Sequence, residues 1–121
     1  MKLAVALLVL VPVACATGNP PAAGGLGGPV TVEVRNHNWL DVHAYVVGAG
    51  QRFSLGLVTS NDEQRFTVPS TALSSSRSLV FIALPVGSRL GYVSDEVYVE
   101  PGDAVLWTIQ NNLALSTVSI R

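Results

Sequence analysis

The stretch Val30-Thr31-Val32-Glu33-Val34-Arg35 alternates apolar and polar side chains without a break. A period of two residues is typical of a β-strand that buries one face and exposes the other. The pattern stops at Asn36-His37-Asn38, whose residue types favour a turn. The alternation returns in later segments of the chain, at residues 40–46, 53–57, 64–68 and 105–109. Residues 30–121 are therefore predicted to form an all-β domain.

Two segments depart from simple alternation. Leu79–Leu84 is apolar at every position, which predicts a strand buried on both faces. Tyr92–Val99 is rich in strand-forming residues but loses its alternation at Asp95-Glu96, which predicts a β-bulge. A last strand is expected over Leu115–Ile120.

Turn signals separate these strands. Gly48-Ala49-Gly50 closes a predicted hairpin, after which Phe53, Leu55 and Leu57 are expected to face inward. Pro101-Gly102 predicts a type II turn, because proline presets φ at the second position and glycine supplies a positive φ at the third. No segment shows a convincing helical period. Seven or eight short, regularly spaced strands predict an antiparallel β-sandwich of the immunoglobulin-like type.

Two families share features with this domain. Its strand number and length resemble those of immunoglobulin-like and fibronectin-like sandwiches. The segment Val99–Trp107, with Pro101-Gly102-Asp103, Val105 and Trp107, resembles the PGD-x-V-x-W strand of cupredoxins. Cupredoxins bind copper through a cysteine, two histidines and usually a methionine, whereas this chain has no histidine after His43 and no cysteine in residues 30–121. The resemblance therefore implies the architecture without the copper, and no cofactor is expected.

The N-terminus has the features of an export signal. Lys2 precedes an apolar run, Leu3–Val13, which is shorter than the roughly 20 residues of a membrane-spanning helix but suits a signal peptide. Val13-Ala14-Cys15 resembles the lipobox of bacterial lipoproteins. That resemblance implies a signal peptide over residues 1–14 and a lipid on Cys15, the only cysteine. The alternatives are cleavage after Ala16, which would give a secreted or periplasmic soluble protein, and an unprocessed cytoplasmic protein.

Residues 15–29 join the predicted lipid anchor to the domain. Eleven of the fourteen residues from Ala16 to Pro29 are Gly, Pro or Ala, which predicts a flexible tether. Such a coil would span about 20 Å. In lipoproteins of diderm bacteria, an aspartate after the lipidated cysteine retains the protein at the inner membrane. Because Ala16 stands there, the resemblance implies the outer membrane if the host has one.

Charge and cysteine content narrow the possible partners. From Cys15 onward the chain has six arginines, no lysine and eight acidic residues, a formal charge of −2. It therefore lacks the basic patch that nucleic-acid binding requires. A single cysteine cannot form an intrachain disulfide, so the domain depends on its apolar core. The expected partners are the membrane, through the lipid, and a protein or glycan of the cell envelope.

One polar cluster could bind a metal ion. Asp41 and His43 would point to the same face of a strand about 6 to 7 Å apart, with His37 in the preceding turn. These three side chains are the basis of an alternative function, a periplasmic metal-binding protein. The favoured interpretation places Asp41 and His43 on a solvated face and His37 in a polar turn, without a metal.

The residues do not suggest catalysis. Cys15 is either acylated or removed, and the serines have no nucleophile elbow. The carboxylates of Asp62-Glu63 and of Asp95-Glu96 are adjacent, so on a strand they would point to opposite faces. No glycine-rich loop precedes a helix. The protein is predicted not to be an enzyme.

Aromatic residues are the remaining candidates for binding. Trp107 is in phase with Val105 and is predicted to lie in the core. Trp39 is also expected in the core, with an exposed binding anchor as the alternative. His43, Tyr45 and Tyr98 are predicted on outward positions, where they either cover the rim of a sheet or form a docking surface. The function predicted from the sequence is a non-catalytic, lipid-anchored binding or assembly module with an undetermined partner.

Overall fold

The computed structural model describes residues 28–121. The predicted signal peptide (1–14), Cys15 and all but the end of the tether (15–29) lie outside the described residues. The described part is almost entirely β-structure, as predicted, with two short 3₁₀ turns at Ser70–Leu73 and Leu113–Leu115. Its nine strands are β1 Thr31–Asn36, β2 Val42–Gly48, β3 Gln51–Val58, β4 Glu63–Thr67, β5 Ser78–Pro85, β6 Tyr92–Val93, β7 Val97–Tyr98, β8 Ala104–Ile109 and β9 Thr117–Ile120.

The strands form the two sheets of a sandwich. The first sheet has the order β4-β1-β8-β9, and the second has the order β3-β2-β5-β6, with β7 also paired to β5. Strands β1 and β8 run parallel, with Val32 beside Val105 and Val34 beside Trp107. The other strand pairs are antiparallel. The predicted sandwich class is confirmed, and the parallel pair is a detail that strand periodicity does not predict.

Side chains from both sheets fill one core between them. The ring of Trp107 is fully buried and lies 5.3 Å from the ring of Phe81, centroid to centroid, which confirms its predicted core position. Around this pair pack the inward residues of the longer strands, among them Val32, Val34, Val42, Ala44, Val46, Val58, Leu79, Ala83, Val105 and Ile109. Burial of these apolar surfaces is the main stabilising contribution in a domain without a disulfide.

The predicted inward face of β3 is wrong at Leu57, because the strand contains a bulge. Ala44 pairs with Gly56 and Tyr45 pairs with Ser54, so Leu55 is an extra residue and the side-chain alternation shifts. Consequently Leu57 points outward and Val58 is buried. Gly56 has φ 149°, and a Cβ there would lie 2.9 Å from the Phe66 ring, so a larger residue would not fit.

The prediction that β5 is buried on both faces is also wrong. Leu79, Phe81 and Ala83 are fully buried, but Val80 and Ile82 on the other face are partly exposed. The apolar run arises because β5 has apolar residues on its outer face as well. No second layer covers that face within residues 28–121.

The segment Tyr92–Val99 is interrupted where the sequence predicted a bulge, and it forms the two short strands β6 and β7. Ser94 lies in this interruption and makes the hydrogen bonds that a continuous strand would make with the backbone of Phe81. Its backbone nitrogen donates to the Phe81 carbonyl at 2.9 Å, and its hydroxyl accepts from the Phe81 nitrogen at 2.9 Å. The buried backbone of β5 is therefore satisfied without a continuous edge strand.

A two-residue turn joins β2 to β3. Gly48 pairs with Gln51, and the two residues between them, Ala49 and Gly50, have φ of 53° and 74°. Two positive φ angles define a type I′ turn, which matches the twist of a hairpin. Ala49 is the less suitable of the two residues, because a Cβ disfavours this conformation.

The two ends of β1 define the two ends of the sandwich. At its start, the carbonyl of Gly28 accepts from the nitrogen of Gly102 at 2.9 Å. At its finish, about 20 Å away for six residues, Asn36 leads into the loop 37–41. In the described part of the chain, no helix is long and apolar enough to cross a membrane.

Candidate binding surfaces

The loop that follows β1 is held by a buried asparagine. Asn36 is fully buried, and its side-chain nitrogen donates to the carbonyls of Leu40 at 2.9 Å, Val58 at 3.0 Å and Thr59 at 3.2 Å. Its side-chain oxygen accepts from the nitrogen of Asn38 at 2.9 Å. Buried polar groups require such partners, so these contacts fix the path of the loop.

Asn38 extends this network across the sandwich. Its side-chain oxygen accepts from the nitrogen of Leu40 at 2.9 Å, and its side-chain nitrogen donates to the carbonyl of Gln110 at 3.0 Å. The hydroxyl of Ser60 donates to the Asn38 carbonyl at 3.0 Å. The loop is thus connected to β3 and to the segment after β8, which suits a rigid conformation.

Trp39 lies at the tip of this loop and is 75% exposed. Its backbone nitrogen donates to the side-chain oxygen of Asn111 at 2.9 Å, which fixes the base of the side chain while the ring remains in solvent. The expected core position of Trp39 is therefore wrong. The neighbouring asparagines are buried in its place, because their amides satisfy the backbone of the loop.

A groove lies beside Trp39 at this end of the sandwich, with a cavity volume of about 690 Å³. We call it the end groove. Its lining combines the exposed ring of Trp39 with amide, hydroxyl and apolar groups, and it contains no charged side chain. The lining residues are Asn38, Trp39, Leu40, Pro85, Ser88, Leu90, Gly91, Tyr92, Val93, Asn111, Asn112, Leu113 and Ala114.

The polar groups of the end groove are oriented. The side-chain oxygens of Asn111 and Asn112 accept from the nitrogens of Trp39 and Ala114 at 2.9 and 3.2 Å. Neither amide nitrogen donates to an acceptor within residues 28–121, so both are free to bind a ligand. Burial raises the pKa of the Tyr92 hydroxyl above its ordinary value of 10.0, and the Asp95 carboxylate raises that pKa further. Tyr92 is therefore a neutral donor at pH 7.

The three candidate metal ligands do not converge. Asp41 accepts from the nitrogen of Ser60 at 2.9 Å through its side chain, so it supports the Trp39 loop. His43 is exposed on β2, where its ring lies 6.4 Å from that of Tyr45. His37 is exposed beyond the end of β1. In the described residues, no group of three or more His, Cys, Asp or Glu side chains could hold a metal ion.

The other predicted binding residues lie together on the outer face of the second sheet. His43, Tyr45 and Val47 of β2 lie beside Leu84, Ile82 and Val80 of β5. Tyr98 pairs with the outward Ser78 and is 69% exposed. We call this surface the outer face. It consists of Arg52, Ser54, Leu57, His43, Tyr45, Val47, Ser78, Val80, Ile82, Leu84, Val93, Glu96 and Tyr98.

The outside of the first sheet has the opposite character. Glu33 on β1 lies 3.2 Å from Arg121, 3.4 Å from Arg35 and 3.8 Å from Arg65. Its partial burial raises the pKa of the Glu33 carboxyl, but the three guanidinium groups and the hydrogen bond from Arg35 outweigh that effect. The pKa of Glu33 is therefore below its ordinary value of 4.5. This surface is a solvated network of charges.

A second cavity, of about 520 Å³, lies at the opposite end of β1 from Trp39. Gly28, Pro29 and Val30 form one wall, so it adjoins the place where the chain enters the domain. Arg77 and Glu100, two further lining residues, form an ion pair with each other. No residue predicted from the sequence to bind a ligand lies in this cavity.

Sequence reasoning named Trp39 as a candidate binding residue but missed the asparagines that build the end groove around it. The spacing Asn36-x-Asn38 was interpreted as a turn, although both side chains are almost completely buried. Asn111-Asn112 likewise has residue types that favour a turn. The contact between Trp39 and Asn111 joins residues 72 positions apart, so no local pattern could indicate it.

Comparison with known proteins identifies the fold alone. No protein-family model matches the chain, and no curated protein is significantly similar to it. Among solved structures, the chain is similar to a protein from Eubacterium rectale determined by NMR, with 16% sequence identity and a TM-score of 0.51. The similarity covers 83% of this chain and 94% of the other. It supports the β-sandwich and carries no functional information.

Proposed function

We propose that the protein is a non-catalytic binding module, anchored to the cell envelope by a lipid on Cys15, that holds an uncharged glycan in the end groove. The observation that carries the binding function is the exposure of Trp39. Removing a large apolar side chain from water gains about 1.5 to 3 kcal/mol, so a partner that covers the 75% exposed ring would gain affinity from this contact.

The rigidity of the Trp39 loop supports this function. Asn36, Asn38 and Asn111 hold the backbone on both sides of the ring. A loop that is already ordered loses little conformational entropy on binding, so more of the contact energy remains as affinity. Two of these three amides, those of Asn36 and Asn38, are buried, and Asn111 is exposed.

The chemistry of the groove supports an uncharged ligand. With no charged side chain in the lining, an ionic ligand would lose its hydration without gaining an opposite charge. An aromatic ring covers the C–H face of a sugar, while the amides of Asn111 and Asn112 and the Tyr92 hydroxyl can bind its hydroxyl groups. A mostly apolar groove with a few oriented polar groups is the usual form of a small-ligand site.

Fluorescence of the two tryptophans provides the test. Trp107 is buried and Trp39 is exposed, so a ligand that covers the end groove should shift the emission of Trp39 and protect it from iodide. The probes are neutral oligosaccharides: chitotetraose, maltotetraose and cellotetraose. We expect one of them to bind. Because the Trp39 variants lack this fluorescence signal, isothermal titration calorimetry measures their affinities: Trp39→Ala should abolish the binding, and Trp39→Phe should retain part of it.

Tyr98→Ala is the matched control, because it removes a similarly exposed aromatic ring from a different surface. Its affinity should equal that of the unchanged protein. Absence of binding by all three oligosaccharides at millimolar concentration would overturn the glycan proposal. Binding that survives Trp39→Ala would place the site elsewhere on the domain.

The anchor is tested separately by the intact mass of the processed protein. We expect the membrane fraction of an expressing bacterium to contain a chain that begins at Cys15 and carries diacylglyceryl and acyl groups. An unmodified soluble chain beginning at Thr17 would contradict lipidation and favour the secreted alternative. The binding function of the end groove would stand in either case.

A further inference from the structure

The outer face of the second sheet is apolar at its centre. Val47, Val80, Ile82 and Leu84 occupy neighbouring positions on β2 and β5, and Tyr45 lies between them. These four aliphatic residues are partly exposed, and the whole face, from β3 across β2 and β5 to the short strands β6 and β7, measures roughly 400 Å² in plan. The largest apolar patch of a soluble protein is typically about 300 to 600 Å² and is often functional.

The outsides of the two sheets differ in their content of charged residues. The outside of the first sheet carries Glu33, Arg35, Glu63 and Arg65, which neutralise one another. The outer face carries two charged residues. Glu96 lies at one side, and Arg52 extends from β3 at the other side so that its guanidinium carbon lies 4.6 Å from the centre of the Tyr45 ring. A strand with one solvated face alternates apolar inward residues with polar outward residues, as β1 does. On β5 the outward residues Val80, Ile82 and Leu84 are apolar instead.

The two charges are arranged symmetrically. Arg52 pairs with Val47 on β2, and Val47 pairs with Val80 on β5. Glu96 follows on the far side, where it lines a shallow pocket with Val47 and Val80. A row across the sheet therefore consists of a cation, two valines and an anion.

We propose that the outer face is the contact between two copies of this chain, related by a two-fold axis that runs parallel to the strands above the boundary of β2 and β5. This rotation exchanges the left and right sides of the face and keeps its top and bottom. It brings Arg52 of each copy to Glu96 of the other copy and places Val47 on Val80. A self-complementary patch of this kind is what an isologous dimer requires.

Another axis would not produce this match. A two-fold axis in the plane of the face but perpendicular to the strands would bring Arg52 to β3 of the other copy, away from Glu96. Both axes keep the strands of the two faces aligned, which is the usual geometry for packed sheets, but only the parallel axis also preserves the direction of each strand. In addition, it places Gly28 of both copies at the same end of the dimer, so both chains can be attached to one membrane.

The area of the face indicates a weak dimer. Specific interfaces bury about 800 Å² on each partner, and the outer face, at roughly 400 Å² in plan, is well below this value. We therefore expect a dissociation constant in the micromolar range in solution. Attachment of both copies to one membrane would raise their effective concentration and favour the dimer.

Charge reversal tests the arrangement. The processed protein is purified in mild detergent, and its mass is measured by native mass spectrometry and by sedimentation over a range of concentrations. Arg52→Glu and Glu96→Arg should each weaken the dimer by about tenfold, because each places like charges together. The double variant R52E/E96R restores opposite charges and should dimerise like the unchanged protein.

Two further variants separate packing from folding. Ile82→Asp introduces a charge at the centre of the face and should leave only monomer. Thr117→Asp introduces the same charge on the outside of the first sheet and should leave the dimer intact. Circular dichroism checks that each variant is folded. Glu96→Arg replaces the residue that is least involved in contacts within one copy.

Specific outcomes would overturn the proposal. A chain that is monomeric at 100 µM has no such interface. Dimers that resist Ile82→Asp, or that the double variant does not restore, use another surface or another axis. A complex in which the outer face binds a different envelope protein, with no dimer of this chain, would also overturn it. None of these outcomes depends on whether the end groove binds a glycan.

Discussion

The side-chain oxygen of Asn36 accepts a hydrogen bond from the backbone nitrogen of Asn38 at 2.9 Å, inside the sandwich rather than at its surface. The same side chain faces three carbonyl oxygens through its nitrogen. An amide is the side chain that fits both requirements, because it combines an acceptor with two donors. The position of Trp39 in solvent therefore depends on the chemistry of a buried residue.

Replacing this amide should destabilise the domain. Asn36→Asp has nearly the same shape but places a carboxylate oxygen against three carbonyls, so we expect a loss of about 3 kcal/mol or more in the free energy of unfolding. Urea denaturation measures the loss. Asn61→Asp, in the exposed turn before β4, is the matched control and should change stability by less than about 0.5 kcal/mol. Equal effects of the two substitutions would contradict the role of the Asn36 network.

Trp107 should tolerate a smaller aromatic ring better than its burial suggests. Its indole nitrogen is buried and has no hydrogen-bond partner among residues 28–121. Trp107→Phe removes this unsatisfied group along with part of the ring, so we expect a loss of about 1 to 2 kcal/mol, against about 3 to 5 kcal/mol for Trp107→Ala. Thermal and urea denaturation of both variants compares the losses. A Phe variant as unstable as the Ala variant would indicate a polar partner for the indole.

The β2–β3 turn can be improved. Ala49 adopts a φ of 53°, and Gly50 follows with a φ of 74°. Asparagine tolerates this conformation better, and Asn-Gly is the preferred pair in a type I′ turn. We therefore expect Ala49→Asn to stabilise the domain by about 0.5 to 1 kcal/mol. Thermal denaturation measures the change, since each kcal/mol shifts Tm by roughly 4 to 8 °C in a domain of this size. Ala49→Val, a β-branched residue, should have the opposite effect.

Glu33 should make the stability depend on acid pH. Because its pKa in the folded protein lies below the ordinary value of 4.5, the unfolded chain takes up a proton first as the pH falls. The stabilisation is therefore complete above that value and is lost as the pH drops through the folded pKa. Glu33→Gln should show a smaller decrease in stability between pH 6 and pH 3 than the unchanged protein.

Urea denaturation across this pH range, at low protein concentration, measures the difference. Glu96→Gln removes the same charge from a carboxylate that forms no ion pair within residues 28–121, and it serves as the control. The arginine network is responsible only if Glu33→Gln flattens the pH dependence more than Glu96→Gln does.

Local pattern was sufficient for the strands and insufficient for the site. Alternation predicts β1 and β8 almost to the residue, because each strand has one face in the core. It does not predict that these strands are parallel neighbours, since that depends on how the whole chain is arranged. It also fails at Leu57, where one extra residue in β3 reverses the faces.

Trp39 shows the same limit for function. A tryptophan after a polar turn is usually buried, and the asparagines beside it are usually exposed. Here the relation is inverted, because Asn38 can reach the Gln110 carbonyl and Asn36 can reach β3. Those acceptors come from distant parts of the chain, so the inversion is visible only in the folded domain.

The hydrogen bond between Gly28 and Gly102 places the beginning of the described segment at the end of the sandwich opposite Trp39. The last residue lies at the same end, since Arg121 donates its backbone nitrogen to the carbonyl of Ala104, which pairs with Thr31. Gly28 and Arg121, the two ends of the described segment, therefore lie at the end of the sandwich opposite Trp39. A display scaffold or a reporter joined to the domain at Gly28 or at Arg121 would therefore leave the indole of Trp39 facing the solution.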